Sequence, residues 1–383
     1  MSIDAKAAMH AGNLFAEARH VHVLRQMHLV RPSDRGEMTR RILLAAAAAW
    51  LPLALLARGD FLTDIAVHVR MLLAVPLLIA SEYMVIPRLE AIGRHIGASS
   101  MLAPSLSEAL AGVVARARKA SAGNVTACVM ALVVYATVGL LVVFLPPGAG
   151  LAWQHSPTGH GLSAAGLWHA LVSLPILLAL TMGWLWRLLV WTWFLRAVSR
   201  LGLGLLPSHP DRAGGLQFIA FSPRVFVPVV LAMATVVAGT LADEVFLRGQ
   251  SPIGREATPA VTAFVLVLAF MAPPLVFTRA LLVAWRNGVF MYGELAARMG
   301  TRFEEKWLDV GLGRDGNPLE APDFSATVDL YGVVANVYGM KLLLVEYPGM
   351  VMLAVAALVP FIPIWLHAVP LRTLAAHVLG ALF

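Results

Sequence analysis

Charge is what this sequence has least of. Only 13% of its 383 residues are Asp, Glu, Lys or Arg, against 59% apolar. A water-soluble chain carries about a quarter charged residues, so too few are present to coat a soluble body of this size. Cysteine is nearly absent: Cys128 stands alone within an apolar run, which excludes a disulfide framework and a Cys-based metal site. Lysine occurs only at Lys6, Lys119, Lys306 and Lys341; the other cations are Arg. Residues 1–40 are polar and charged and lack the apolar stretch of a cleavable signal peptide. Nothing matches a Walker lysine loop, Gly-x-Ser-x-Gly, His-Glu-x-x-His or a dinucleotide fingerprint, and the filter string of potassium channels is missing. His20, His22 and His28 are spaced so that they do not share a helix face, and no carboxylate completes a ligand set. The expectation is a protein that is not an enzyme, with no cofactor, no metal and no nucleic-acid partner.

What is present is apolar length. Crossing about 30 Å of hydrocarbon takes roughly 20 mostly apolar residues, and seven runs qualify: 42–57, 71–86 (with a start as early as 65), 125–145, 165–195, 225–245, 261–277 and 350–367. The fold class expected is all-α, a polytopic membrane protein of about seven spans with cytoplasmic helical extensions. Residues 371–383 are apolar but too short to cross, and read as an interfacial helix. Cations give the orientation, because Lys and Arg accumulate in cytoplasmic loops. The segments up to Arg41, Arg88–Lys119, Arg196–Arg224 and Arg279–Lys341 hold 23 of the 29 Lys and Arg. The alternate loops hold Arg58, Arg248, Arg255 and Arg372 alone. The N-terminus is therefore expected in the cytoplasm of a bacterial inner membrane and the C-terminus in the periplasm.

This divides the chain into a cytoplasmic amphipathic arm (1–41), a six-span membrane domain (42–285), a cytoplasmic block (286–348) and the last span with its interfacial tail (349–383). The cytoplasmic block has two helical patterns, 287–307 and 324–346, around a turn-rich stretch. No internal repeat of sequence is apparent.

Ionisable groups and prolines inside spans are the places to look for function. A charge in lipid costs several kcal/mol. Glu82 lies in the second span, as a proton- or cation-handling group or as a structural partner of an Arg. His68 and Arg70 lie near that span's outer end. Asp243 and Glu244 close the fifth, as part of a path or as a solvated helix end. Arg187, among tryptophans, is expected to reach the cytoplasmic headgroups. Pro273, Pro274, Pro360 and Pro363 stand in the sixth and seventh spans, where a missing backbone donor frees a carbonyl; such breaks are ordinary kinks, or they line an ion path.

One loop has a distinctive string, Leu206-Pro-Ser-His-Pro-Asp-Arg-Ala-Gly-Gly-Leu216. Its His-Pro-Asp is similar to the tripeptide of J-domain co-chaperones, but membrane spans flank it where a J-domain needs soluble helices. The string resembles a loop of uncharacterised proteobacterial polytopic inner-membrane proteins, a resemblance that implies a location and no activity. It is expected to be structural: a compact turn of His209, Asp211, Arg212, Gly214 and Gly215, with Asp211 capping backbone N–H groups and Arg212 facing lipid phosphate or an acid on 286–348. Two functions fit the whole. One is a channel- or transporter-like homo-oligomer with its path beside the proline-broken last span, a layout similar to insect chemoreceptor channels. The other is a sensor or scaffold whose arm and 286–348 block bind a cytoplasmic protein or anionic lipid headgroups.

Overall fold

A computed structural model describes residues 14–15, 36–57, 60–144, 152–156, 161–251, 254–308 and 322–368. Most of the arm, and the 371–383 segment expected to be interfacial, lie outside the described residues. The main helices are α1 (Glu37–Leu56), α2 (Ile65–Ala98), α3 (Ser107–Ala122), α4 (Asn124–Phe144), α5 (Ala164–Ser199), α6 (Val227–Phe246), α7 (Ala257–Met271), α8 (Thr278–Trp307), α9 (Pro322–Tyr338), α10 (Tyr347–Leu358) and α11 (Ile362–Ala368). Among the described residues the only β-pairing is the isolated bridge of His155 with Leu162. Seven helical stretches are long and apolar enough to cross a membrane. The protein is a polytopic helical membrane protein.

Several boundaries depart from hydropathy. The first span starts at Glu37, not 42, because Glu37 and Arg41 are buried against the bundle instead of lying in an arm. The third span is entered directly from α3, with Gly123 between the two helices. The sixth does not stop at its prolines. Pro273–Phe277 forms a 3-10 turn, in which the Leu275 N–H reaches the Ala272 carbonyl at 3.0 Å, and α8 continues from it. Helix α9 ends at Tyr338, short of the 346 expected for the second helical pattern, and the following residues run irregularly to α10.

The near end of the bundle is the one where α1 starts; the far end is where α1 ends and α2 begins. Helix α6 is the central post, with 67% of its apolar window buried, whereas α4 is the outermost at 11%. Small residues make that centre possible: Ala232, Ala234, Ala238 and Ala242 are buried. At Gly239 an added Cβ would stand 3.0 Å from Val69 on α2, so only a glycine admits this approach. Outward faces such as Leu132, Val143 and Phe144 on α4 are exposed, as lipid-facing residues should be.

Helices α2 and α5 have the same construction, although no repeat stood out in the sequence. Each opens with a capping side chain that accepts the N–H three residues on, at 2.9 Å: Asp64 from Val67 and Ser163 from Gly166. Each then has one α-turn and a π-helical turn, Arg70–Ala74 in α2 and His169–Ser173 in α5. Each has a proline twelve residues after its cap, Pro76 and Pro175. The π-turns follow from the prolines. A proline cannot donate to the carbonyl four residues back and its ring crowds that carbonyl, so the helix widens. The Val75 N–H reaches the Arg70 carbonyl and the Leu174 N–H that of His169. The carbonyl that Pro175 leaves free, Leu171, accepts from the Tyr135 hydroxyl of α4 at 3.3 Å. Sequence identity between the two stretches is confined to positions such as Ala66/Ala165, Leu72/Leu171, Pro76/Pro175 and Leu78/Leu177. The likeness is therefore visible in geometry and hidden in composition.

Candidate functional site

The two π-turns lie at the same depth, in the far half of the bundle, and each begins with a polar residue six positions after its cap, Arg70 or His169. π-turns are frequent at functional sites. Around them a polar layer is assembled from α1 (Trp50), the turn before α2 (Phe61, Asp64), α2 (His68, Arg70), the 152–156 segment (Trp153, His155), α5 (His169) and α6 (Thr240, Asp243). Helix α5 is tied to α1 by two bonds, Ser173 to the Ala49 carbonyl at 2.6 Å and the Trp168 indole to that of Ala48 at 3.1 Å. The 152–156 segment is pressed onto α5 at Gly166, where an added Cβ would overlap the Gln154 carbonyl.

Within the layer Asp64 is 3% exposed and accepts from the Val67 N–H at 2.9 Å and the Trp153 indole at 3.1 Å. Arg70 Nη2 donates to the Thr240 hydroxyl at 2.8 Å. The His68 ring stands 5.9 Å from Trp50, edge to face, and 5.1 Å from Phe61. The His169 ring meets Trp153 at 5.6 Å. Asp243 is 6% exposed, within Coulombic range of Asp64 and Arg70. Arg248, half out at the rim, reaches it only at 3.9 Å. Six buried polar atoms have no protein partner: Trp50 Nε1, His68 Nδ1, Arg70 Nε, His155 Nε2, His169 Nδ1 and Asp243 Oδ1. A buried donor or acceptor left bare costs about 1–3 kcal/mol, so a concentration of them points to water, a proton or a solute. Among the described residues no three His, Cys, Asp or Glu side chains converge on a metal position.

The near half holds a second ionic group of opposite character. Glu82 on α2 accepts from Arg41 of α1 at 2.5 Å and from Arg187 of α5 at 2.6 Å. Arg41 also donates to the Tyr83 hydroxyl at 2.9 Å, and Arg187 lies over the Trp184 ring at 4.9 Å. Glu82 is thus a shared anchor for two guanidinium groups. Arg187 turns inward to it and does not reach out to headgroups. Glu82 lies twelve residues along α2 from Arg70, about 18 Å at 1.5 Å per residue, so it does not belong to the far layer.

The 206–216 loop is a closed turn at the near end. Asp211 accepts from the N–H groups of Ala213 at 2.8 Å, Gly215 at 3.1 Å and Gln217 at 3.1 Å, and His209 Nδ1 lies 2.8 Å away. Burial alone would raise the Asp211 carboxyl, but the three backbone donors and His209 outweigh it and hold the carboxyl below its ordinary value. Arg212, Gly214 and Gly215 take positive φ values of 55°, 64° and 93°. Arg212 fastens the loop to α9 through the Asn336 side chain at 3.3 Å, an amide where an acid was expected, and its carbonyl accepts from the Lys341 N–H at 2.6 Å.

The other candidates are dispersed. Glu244 pairs with Arg255 at the far rim. Pro273 and Pro274 are buried in the near-end turn between α7 and α8. Pro360 lies in a 3-10 turn, Val359–Phe361, and Pro363 in α11. The Val359 carbonyl that Pro363 releases is met locally, by the Ile362 N–H. Of the ionisable candidates, Asp243, His68 and Arg70 enter the far layer, whereas Glu82, Arg187 and Glu244 do not. Asp64, Trp153 and His169 escaped the sequence reading. The signal that would have found Asp64 and His169 is the repeated spacing of a capping residue and a proline; Trp153, in a loop, carries no such signal. No known protein family, no curated protein and no solved structure matches the chain.

Proposed function

We propose that this is a transport protein of the bacterial inner membrane, with its N-terminus cytoplasmic and its far end periplasmic, and that the far layer handles the translocated charge. The observation that carries the reading is the group of six bare polar atoms gathered at two matched π-turns. Sites of secondary transporters sit where repeated units meet and where helices depart from regular α geometry, and α2 and α5 meet both descriptions. The last span is a poorer place for a path. Its released carbonyl at Val359 is bonded locally, and the Val359 and Ile362 side chains face outward.

The test is solute and ion flux in liposomes containing the purified protein. Asp243→Asn and Arg70→Gln should each reduce flux tenfold or more, while protein yield and melting stay near wild type. Flux that survives both substitutions would remove the far layer from the path. Reporter fusions after residue 155 and at residue 383 should both read as periplasmic; a cytoplasmic reading at 383 would overturn the seven-span orientation. The scaffold reading keeps one supporting observation: the α8–α9 hairpin is fixed to the membrane domain by Tyr292–Ser208 and Arg212–Asn336 bonds, yet exposes Phe290 and Met291. Absent flux together with capture of a cytoplasmic partner by that hairpin would favour it.

A further inference from the structure

We infer that the far layer is a proton-binding site, with His68 as the acceptor. The inference deepens the transport reading and rests on it for its purpose, though proton binding is measurable without transport. Three observations converge. First, the charges of the layer do not balance: Asp64 and Asp243 are buried, one half-buried cation, Arg70, lies within Coulombic range of both, and Arg248 is 53% exposed at the rim. One negative charge is therefore left in a setting where uncompensated charge is costly. Second, the layer offers imidazole nitrogens with nothing bonded to them, His68 Nδ1 and His169 Nδ1. Third, His68 packs in a triangle with the rings of Trp50 and Phe61, and an aromatic face turned to an imidazolium attracts it through cation–π interaction. His169 stands beside the Arg70 guanidinium, so His68 is the better placed of the two. In chemical terms a water or buffer acid gives its proton to His68 Nδ1 and departs as its conjugate base; no bond to carbon changes and no electron is transferred.

The groups around His68 limit what else could answer for a pH response. The turn before α2 supplies Asp64, α2 Arg70, the 152–156 segment His155, α5 His169 and α6 Asp243, with Arg248 just beyond and the Glu244–Arg255 pair at the rim. Helix α4 contributes Tyr135, bonded to the Leu171 carbonyl. The far end of the last span contributes His367, whose ring meets Phe246 at 4.7 Å. At this level the described part of α1 contributes Trp50 and no titratable side chain.

The neighbouring indoles provide the readout, because a protonated imidazole quenches a tryptophan beside it. The full-length protein in lipid nanodiscs is titrated over about pH 5 to 8, where histidine changes charge, with tryptophan emission recorded. Wild type should lose emission in one sigmoidal step on acidification. His68→Gln and His68→Asn should each abolish the step, and Trp50→Phe should shrink it. Asp243→Asn should move it to more acidic pH, and His367→Gln, outside the layer, should leave it in place. Gel-filtration profile and melting temperature are checked for each variant. A wild type without a step, or a step unchanged in both folded His68 variants, overturns the inference. The transport reading fails separately: the step would be present, but an imposed pH gradient would drive no flux and no solute would move.

Discussion

The two ionic layers of this bundle are built from the same helices and behave in opposite ways. In the near half, Glu82 meets Arg41 and Arg187 through short, direct bonds, with Tyr83 and Trp184 completing the shell. In the far half, Asp64, Arg70, Asp243, His68 and His169 lie together, but four of the five have a buried atom with no protein partner. Both layers keep charge out of lipid. The first does so by saturating it inside the protein, which makes a joint between α1, α2 and α5. The second leaves open positions and so retains chemistry. The lesson is that an intramembrane charge is a functional candidate according to what its partners leave free. Glu82, conspicuous as a carboxylate in the middle of an apolar run, turns out to be the saturated one.

The comparison breaks most sharply under neutralisation. Glu82→Gln leaves two buried guanidinium groups facing a neutral amide, and stability should fall by about 3–5 kcal/mol, the usual cost of removing one partner from a buried pair. Asp243→Asn, in the open layer, should cost no more than about 1 kcal/mol while suppressing flux. Thermal melts of both variants in one detergent check this. Equal losses would mean that the two layers are not different in kind.

A substitution on the support of the far layer should come next in size. Gly166→Ala places a methyl where the Gln154 carbonyl now lies, and a backbone must move to make room. Overpacking of this sort costs about 1–3 kcal/mol. The shift should carry Trp153 away from Asp64 and His169, so its emission should change and the Glu82 joint should not. An unaltered spectrum would show that the 152–156 segment is not what holds the layer in place.

Much of this was legible in the sequence. The seven spans follow from apolar length, and the closed 206–216 turn from Pro210, Asp211 and the two glycines. The far layer was not legible, for reasons that can be stated. Asp64 and His169 sit at the edges of spans, where hydropathy treats a polar residue as ordinary, and Trp153 lies in a loop. Pro76 and Pro175 do not announce a π-turn in sequence, because the widening depends on what the crowded carbonyl finds across the helix interface, as Leu171 finds Tyr135. The partnership of Glu82 with Arg41 and Arg187 joins residues 41 and 105 positions apart, beyond any local pattern. Residues 37–41, charged in sequence, became helix because two of them have buried places in the bundle.

The near-end loop supplies a smaller test of the saturated kind of site. Asp211→Ala removes an acceptor from three backbone N–H groups and should lower stability by about 1 kcal/mol, as losing a cap does. The same carboxyl gives a pH dependence whose sign is fixed. Its folded value lies below the ordinary 3.8, so its stabilisation is complete above that value and is lost as pH falls below it through the folded value. Acid melts of wild type and Asp211→Ala should converge as the pH falls through that folded value. Curves that stay parallel to the lowest pH would mean that Asp211 does not hold the turn.

The smallest effect is expected at the prolines of the last span, and it bears on where the path runs. If the released carbonyls of this helix lined a channel, Pro360→Ala with Pro363→Ala would restore two backbone donors and close it. The local geometry argues otherwise. The 3-10 turn at Val359–Phe361 already lets the Ile362 N–H reach the Val359 carbonyl, and Phe361 is buried against the bundle while Val359 and Ile362 face outward. Replacing the prolines should regularise the helix and leave the bonds of the far layer unchanged. Flux in liposomes should therefore stay within about twofold of wild type, a difference of about 0.4 kcal/mol in barrier height, and melting should shift little. A tenfold fall in flux with unchanged melting would return the path to the last span and make the far layer a structural joint like that of Glu82.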